Sequence, residues 1–322
     1  MREAYTYTGD SRINIVFNQK RQENENVPPF AAEKKISHAP LEGLEDKLNR
    51  LVGLDKVKRM VRELYAWLYV NNRRKDMMMK VEKQTFHMLF KGNPGTGKTT
   101  VARLLGELFR EMDILPSGHL IEAERADLVG EYIGQTAQKT RELVKKALGG
   151  ILFIDEAYSL SRGGEKDFGR EAVDTLVKQM EDHGGEFILI LAGYPEEMDQ
   201  FLIMNPGLPS RFPIMLSFPD FTGDELLEIA ERMVKMRDYR MTAEAKKLLV
   251  RHLRRRALDH DDHFSNGRYV RNLIEKAIRR QAVRLVRENM FDRESLMTIR
   301  ACDVNFDEER ERAESDEASG KA

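Results

Sequence analysis

Residues 92–99 read Gly-Asn-Pro-Gly-Thr-Gly-Lys-Thr, and this stretch decides the expected fold. It fits the pattern G-x-x-x-x-G-K-[ST] at every fixed position. Glycines let the backbone curl until successive N–H groups point inward around phosphate, and the following helix directs its positive end to the same place. The ammonium of Lys98 can reach the β- and γ-phosphates of a nucleotide, and the hydroxyl of Thr99 can bind Mg²⁺. The residues expected at the nucleotide are Gly92, Asn93, Pro94, Gly95, Thr96, Gly97, Lys98, Thr99 and Thr100.

Short apolar segments alternate with amphipathic ones on both sides of this loop. Helices are expected directly after the loop and near 136–148 and 170–181. Strand–helix alternation of this kind implies an α/β fold, in which a parallel five-stranded sheet lies between helices as an αβα sandwich. The segments expected to be strands are 86–90, 119–123, 151–154, 187–191 and 214–218.

The sequence predicts four regions along the chain. Residues 1–40 combine alternating apolar residues with a polar, Pro-containing stretch, which indicates a hairpin-like extension and a linker. Residues 41–220 contain the strand–helix alternation. Residues 221–300 show only helical periodicity, which predicts a small helical lid, and residues 301–322 are mostly charged or small, which predicts a disordered tail. The helices expected in the lid are near 224–236, 243–256 and 268–288.

Composition and charge exclude several classes of protein. The 322 residues include 53 Lys+Arg and 54 Asp+Glu, so the balanced charge does not support nucleic acid or an anionic membrane as the main partner. No apolar run is long enough to span a membrane. The single cysteine, Cys302, cannot form an intrachain disulfide, which favours a reducing compartment. We therefore expect a cytoplasmic protein.

An acidic motif at residues 151–156, Ile-Leu-Phe-Ile-Asp-Glu, completes the expected site. The four apolar residues predict a buried strand, and the carboxylates follow at the edge where open α/β sheets bind ligands. Asp155 is placed to hold Mg²⁺ through its water shell, and Glu156 to orient and polarise the attacking water. Glu156 and Lys98 are thus candidate catalytic residues. ATP is expected instead of GTP, because the chain has no guanine-reading Asn/Thr-Lys-x-Asp segment.

The acidic pair and the helical region after the sheet resemble the AAA+ superfamily of P-loop ATPases. Three segments narrow the resemblance to the red-type Rubisco activases and their relatives in spore-forming bacteria. They are 128–134 (Leu-Val-Gly-Glu-Tyr-Ile-Gly), 193–195 (Gly-Tyr-Pro) and 205–212 (Asn-Pro-Gly-Leu-Pro-Ser-Arg-Phe). The resemblance covers residues 45–300. It implies an ATP hydrolase that forms a ring, expected to be a hexamer, and remodels a protein client, in late spore maturation or as a Rubisco activase-like chaperone.

The same resemblance assigns roles to residues outside the two motifs. Arg211 is similar to the arginine finger that meets the ATP of a neighbouring subunit, where a permanent positive charge suits developing phosphate charge. Arg268 resembles the second sensor, which contacts the γ-phosphate of its own subunit, and Arg271, one turn later, is the alternative. At the first-sensor position many AAA+ proteins have Asn or Thr, whereas this chain has Tyr194, a hydrogen-bond donor with a longer reach.

Two loops are expected at the centre of the ring. Tyr132, Ile133 and Gly134 resemble the aromatic–aliphatic–glycine pore loop that grips polypeptide, and residues 161–167 would form a second pore loop. The segment 51–54 (Leu-Val-Gly-Leu) resembles the part of the family that packs near adenine, although a turn at a helix start explains the same residues.

Two other functions stay open. An ATP-gated assembly scaffold would hydrolyse ATP slowly and act through its nucleotide state, and replacing Tyr132 with Ala would distinguish it from a threading motor. An AAA+ ATPase that acts on nucleic acid is disfavoured by the balanced charge. His260 and His263 have a metal-like spacing, but no further His or Cys completes a shell, so a solvated loop is expected.

Overall fold

The computed structural model describes residues 39–81, 84–132, 134–162, 168–258 and 264–304. The hairpin expected near the N-terminus, most of the charged tail and the pair His260 and His263 lie outside these ranges. Within them, none of the helices combines the length and the apolar composition needed to cross a bilayer.

A five-stranded parallel sheet forms the centre of the fold. Its strands are Met88–Gly92 (β1), Leu120–Ala123 (β2), Ile151–Ile154 (β3), Ile188–Gly193 (β4) and Ile214–Phe218 (β5). The order across the sheet is β2-β3-β4-β1-β5, so the expected α/β fold is confirmed. β1 lies between β4 and β5, and its last residues pair Lys91 with Gly193 and Gly92 with Phe218. The carboxyl ends of the strands meet at one edge, where such sheets bind ligands.

Helices cover both faces of this sheet. They are Ala39–Asn49 (α1), Asp55–Asp76 (α2), Lys98–Glu111 (α3), Arg125–Leu128 (α4), Gln135–Ala147 (α5), Gly169–Asp182 (α6) and Pro195–Met204 (α7). One face packs against α1, α2 and α3, and the other against α4 to α7. Because both faces are covered, β3 and β4 are buried at every residue and consist of apolar and small residues. Helix α7 is an element that the periodicity does not predict.

A smaller, mainly helical region follows the sheet, and its apolar residues join the core on the α1–α3 face. It consists of Gly223–Lys235 (α8), Arg240–Met241 (β6), Ala243–Leu258 (α9), Asn266–Glu288 (α10), Arg293–Met297 (α11) and Thr298–Ile299 (β7). The expectation of helices alone is wrong in one detail, because β6 and β7 pair in parallel. Two residues per strand are too few to produce an alternating pattern. Gln281 fixes the end of this region, since its side-chain amide donates to the carbonyls of Ser295, Leu296 and Thr298.

Candidate functional site

The phosphate loop joins the end of β1 to the start of α3. Gly97 caps α3 with φ 96°, and Gly95 has φ 71°, both in the left-handed region that favours glycine. Thr96 is fully buried, and its hydroxyl donates to the carbonyl of Asn93 at 2.8 Å. Lys98 is the first residue of α3, so the N–H groups of the helix start point into the same concavity. The loop therefore has the shape of an anion cradle.

Lys98 lies against its own loop. Its ammonium donates to the carbonyl oxygens of Gly92 at 2.7 Å and Asn93 at 2.9 Å, and the residue is buried. Burial lowers the pKa of Lys98, whereas the charges of Asp155 and Glu156 act to raise it. The ammonium is thus within electrostatic reach of the acidic motif, and phosphate oxygens would be stronger acceptors for it than the loop carbonyls.

The acidic pair follows β3 directly. The N–H of Asp155 donates to the carbonyl of Ala123 at 3.0 Å, and the Asp155 carboxylate accepts the N–H of Glu156 at 3.1 Å. Glu156 has φ 48° and ψ 42°, a left-handed conformation that costs a non-glycine residue about 1 kcal/mol or more. Backbone strain of this kind clusters at functional sites. At this position it accompanies an exposed carboxylate at the ligand-binding edge of the sheet.

A cleft of about 540 Å³ opens beside the acidic pair. Its lining carries charges of both signs and consists of Glu124, Arg125, Ala126, Val129, Asp155, Glu156, Ser159 and Arg268. Arg268 is part of this lining, whereas Arg271 is an exposed residue outside it. The cleft therefore lies where the sheet edge, which contributes Asp155 and Glu156, meets the helical region, which contributes Arg268.

The residues present fit Mg²⁺ that is bound together with a nucleotide. Mg²⁺ commonly takes one or two protein ligands and completes its shell with water and substrate phosphates. Asp155 lines the cleft, and Thr99 is the second residue of α3. Among the described residues, no group of three or more His, Cys, Asp or Glu side chains could hold a metal by itself. The donors suit a metal that arrives with phosphate.

Two tyrosines stand near the acidic pair: Tyr194, which follows β4, and Tyr158, in the turn after β3. Tyr194 caps α7, and its ring centre lies 6.0 Å from that of Tyr158. Burial raises the pKa of Tyr194, and the charge of Glu156 raises it further. Burial, again with Glu156, raises the pKa of Tyr158 to about 12. Both phenols are therefore protonated at neutral pH and available as donors. Tyr158 belongs to no motif, and sequence reasoning missed it.

The loop that carries Tyr132 joins α4 to α5. Tyr132 is 67% exposed. The base of the loop is fixed, because the N–H of Gly130 donates to the hydroxyl of the fully buried Thr136 at 2.9 Å. Gly134 caps α5 with φ 85°. Ile133 and most of the expected second pore loop lie outside the described residues. An exposed aromatic side chain thus stands on an anchored loop.

Arg211 lies outside the lining of the cleft in its own chain. It ends a short 3₁₀ turn, Pro209–Arg211, after α7. Its guanidinium donates to the carbonyl of Gly207 at 2.6 Å and pairs with Glu181 near the end of α6, and 32% of its side chain is exposed. This position leaves the guanidinium accessible from outside the chain.

The segment 51–54 lies next to the phosphate loop. Leu54 caps α2 with φ 58°, and its side chain reaches within van der Waals distance of the position a β-carbon at Gly97 would take. Arg232, on α8, donates to the carbonyl of Arg50. The segment is therefore held between the loop and the helical region, and its role at adenine stays a prediction.

Three further residues connect the site to its surroundings, and no motif marks them. The guanidinium of Arg125 donates to the carbonyl of Ser159 at 2.6 Å and ties α4 to the turn after the acidic pair. Asp220 accepts from the side-chain amides of Asn93, on the phosphate loop, and Asn266, at the start of α10. Because these contacts join distant parts of the sequence, spacing along the chain gives no signal for them.

Fold and site together define a class of protein. A phosphate loop follows β1, an acidic pair follows β3, and a helical region contributes Arg268 to the cleft beside that pair. This arrangement is that of a P-loop nucleoside triphosphatase with a helical lid.

Residues 88–220 match the ATPase family associated with various cellular activities (AAA), and residues 222–314 match the AAA lid domain. Over 316 residues the chain is 54% identical to stage V sporulation protein K of Bacillus subtilis, covering 96% of this chain and 98% of that protein. The chain therefore belongs to the AAA+ ATPases, in the group that includes stage V sporulation protein K and the Rubisco activases related to it, and it is an ATP hydrolase.

The chain is also similar to a second curated protein and to a solved structure. The chain is 42% identical over 269 residues to the chloroplastic ribulose bisphosphate carboxylase/oxygenase activase of Cyanidioschyzon merolae, covering 82% of this chain and 90% of that protein. The Thermotoga maritima RuvB Holliday junction branch migration motor aligns with a TM-score of 0.52 at 21% identity, covering 80% of this chain and 69% of that one. The latter supports the fold alone. AAA+ ATPases commonly form oligomeric rings.

Proposed function

We propose that the chain works as a hexameric ring that couples ATP binding and hydrolysis to the remodelling of a protein client in late spore maturation. The 54% identity to stage V sporulation protein K supports the cellular role. The observation that carries the remodelling activity is the position of Tyr132, exposed on a loop that begins at the wall of the nucleotide cleft.

Four residues of the core bind ATP and promote attack on it. Lys98 leaves its loop carbonyls to hold the β- and γ-phosphates. Thr99 and Asp155 hold Mg²⁺, Asp155 through water, and the metal when bound supplies charge neutralisation at the phosphates. Glu156 orients the attacking water and polarises it as a general base. The strained backbone of Glu156 presets this orientation before ATP arrives.

Three residues outside the core motifs contact the phosphates or the charge that develops on them. Arg268, on the lid, contacts the γ-phosphate of its own subunit. Tyr194 donates a hydrogen bond towards the same region as the first sensor. Arg211 exchanges Glu181 for the ATP of the adjacent subunit, where its fixed charge stabilises the transition state.

The route from the nucleotide to Tyr132 is short. Arg125 and Val129 line the cleft, and Tyr132 follows three residues later. Arg125 also contacts Ser159, just beyond the acidic pair. ATP and ADP bind the lid and the cleft wall differently, so each favours a different position of the loop. In a closed ring this difference moves Tyr132 along the central axis.

The domain division is part of the same proposal: an extension at 1–40, a core at 41–220, a lid at 221–300 and a tail at 301–322. The balanced charge and the single cysteine support the cytoplasm as the compartment. A Rubisco activase-like role is the second candidate, supported by the 42% identity to the chloroplastic activase.

The test is capture of the client by a chain that binds ATP without turnover. Glu156→Gln is expected to retain the client through purification from sporulating cells. Glu156→Gln combined with Tyr132→Ala should lose the client. Glu156→Gln combined with Tyr132→Phe, which keeps the aromatic side chain, should retain it. Equal recovery with Tyr132→Ala would favour an assembly scaffold, and recovery of nucleic acid without protein would refute remodelling. Recovery of a red-type Rubisco would favour the second candidate.

A further inference from the structure

Asn266 is the first residue of α10 and stands two positions before Arg268. It is completely buried, although asparagine is a polar residue. Its backbone has φ 43°, in the left-handed region that asparagine tolerates better than most residues. A buried polar side chain in this conformation needs a specific set of partners.

The side chain of Asn266 has partners for both ends of its amide. Its oxygen accepts the backbone N–H of Phe221 at 2.9 Å. Its nitrogen donates to the carboxylate of Asp220 at 2.6 Å and to the carbonyl of Phe264 at 2.9 Å. Asp220 and Phe221 belong to the connection between β5 and α8, which is the passage from core to lid. We call this connection, which contains Asp220 and Phe221, the hinge. Asn266 therefore binds the start of α10 to the hinge.

The hinge is bound in turn to the phosphate loop. The Asp220 carboxylate accepts the side-chain amide of Asn93 through both oxygens, at 3.1 and 3.0 Å. A second link runs through the backbone, since the N–H of Gly267 donates to the carbonyl of Gly95 at 3.1 Å. The start of α10 is thus held on the loop that receives the phosphates, and no contact in this chain of links requires nucleotide.

We propose that Asn266 is a positioning residue for ATP hydrolysis: with Asp220 as its bridge to the phosphate loop, it fixes where Arg268 enters the cleft. Asn266 does not touch the reacting atoms. Its effect depends on the proposed role of Arg268 at the γ-phosphate, and it is independent of client remodelling. Displacement of a catalytic group by about 1 Å can lower a rate about 100-fold, so the anchor matters even though it lies behind the cleft.

The experiment measures kcat and KM for ATP in the full chain for Asn266→Ala, Arg268→Ala and the double variant. We expect Arg268→Ala to lower kcat, Asn266→Ala to lower it between about 10- and 100-fold, and the double variant to match Arg268→Ala alone. Asn272→Ala, at an exposed asparagine of the same helix, is the matched control and should retain the wild-type kcat.

Two further variants keep the test decisive if Asn266→Ala folds poorly. Asp220 is exposed, so Asp220→Ala removes the bridge with little effect on folding, and its loss of kcat should also vanish in the Arg268→Ala background. Asn266→Asp places two carboxylates together and should lower kcat, whereas combining it with Asp220→Asn restores a donor and an acceptor between these two positions, though not the donation to Phe264, and should recover part of it.

The outcomes separate the two ideas. If Arg268→Ala leaves kcat unchanged, the role of Arg268 fails, and the inference fails with it. If Arg268→Ala lowers kcat but Asn266→Ala and Asp220→Ala stay within about twofold of wild type, the positioning role is refuted while the role of Arg268 stands. If the fold-losses of kcat in the single variants multiply in the double variants, Asn266 acts independently of Arg268 and has a merely structural role.

Discussion

Acidification is expected to destabilise this protein through one buried histidine, His87, immediately before β1. His87 is 2% exposed, and its ring lies 5.8 Å from that of Phe187 and 6.2 Å from that of Phe212. Its Nδ1 accepts the backbone N–H of Leu189 at 3.0 Å, which requires that nitrogen to be unprotonated. Its Nε2 is buried and has no hydrogen-bond partner among the described residues.

Burial lowers the pKa of His87 from 6.5 to about 4. Between these two values the unfolded chain binds more protons than the folded one, so the free energy of unfolding falls as the pH falls through this window. The contribution of His87 is fully present above about pH 6.5. It decreases by about 2 kcal/mol at about pH 5 and by about 3 kcal/mol at about pH 4.

The assay is urea unfolding followed by the fluorescence of Trp67, the single tryptophan of the chain. Its ring packs 5.7 Å from that of Phe86, immediately before His87, so the signal reports on this region. His87→Asn keeps an acceptor for Leu189 and removes the titrating group. The wild type should lose about 2 kcal/mol more than this variant between neutral pH and about pH 5. Equal pH dependence in the two chains would refute the reasoning.

Two further predictions concern the site. Gly95→Ala places a β-carbon against the carbonyl oxygen of Ser265 and 2.8 Å from the backbone nitrogen of Arg268, so we expect kcat/KM for ATP to fall about tenfold or more as the lid is pushed away. Gly185→Ala is its control, since φ is also positive there but the space is open: it should lose about 1 kcal/mol of stability and no turnover, whereas Gly95→Ala should lose more stability than that as well as turnover. For the proposed finger, Arg211→Ala should retain ATP affinity and lose at least about 100-fold in turnover. Glu181→Ala, which only releases the Arg211 guanidinium, should not lower turnover. Equal losses of turnover in Arg211→Ala and Glu181→Ala would show that the two side chains act only as a stabilising ion pair.

The fold was largely predictable because its signals are local. The segments 151–154 and 214–218 are strands at the residues expected. The first is buried at every residue, so it reads as a continuous apolar run. The second lies at the edge of the sheet, and its exposed positions alternate with less exposed apolar ones. The phosphate loop and the acidic pair were also visible, because their chemistry requires fixed residue types at fixed spacing. Helix α7 was missed: it is only ten residues long and lies between the segments 193–195 and 205–212 that carry the family resemblance.

The supporting contacts of the site could not be predicted. Gly95 occupies a variable position of the loop pattern, and its need for glycine comes from the approach of Ser265 in the lid. Asn266 and Asp220 meet across 46 positions of sequence. Such pairs are set by tertiary packing, so no local pattern reports them. Spacing likewise could not separate Arg268 from Arg271, because the two lie on one helix a single turn apart. In the structure Arg268 lines the cleft and Arg271 does not, and the role of Arg268 as second sensor stays a prediction.

The most direct test of the account compares ATP affinity and steady-state turnover in the wild type, Lys98→Ala and Glu156→Gln. Lys98→Ala should bind ATP about 100-fold more weakly, since it loses the charged contact to the phosphates. Glu156→Gln should bind ATP as the wild type does and hydrolyse it at least about 100-fold more slowly. Wild-type affinity and turnover in Lys98→Ala would contradict the claim that this loop binds the triphosphate.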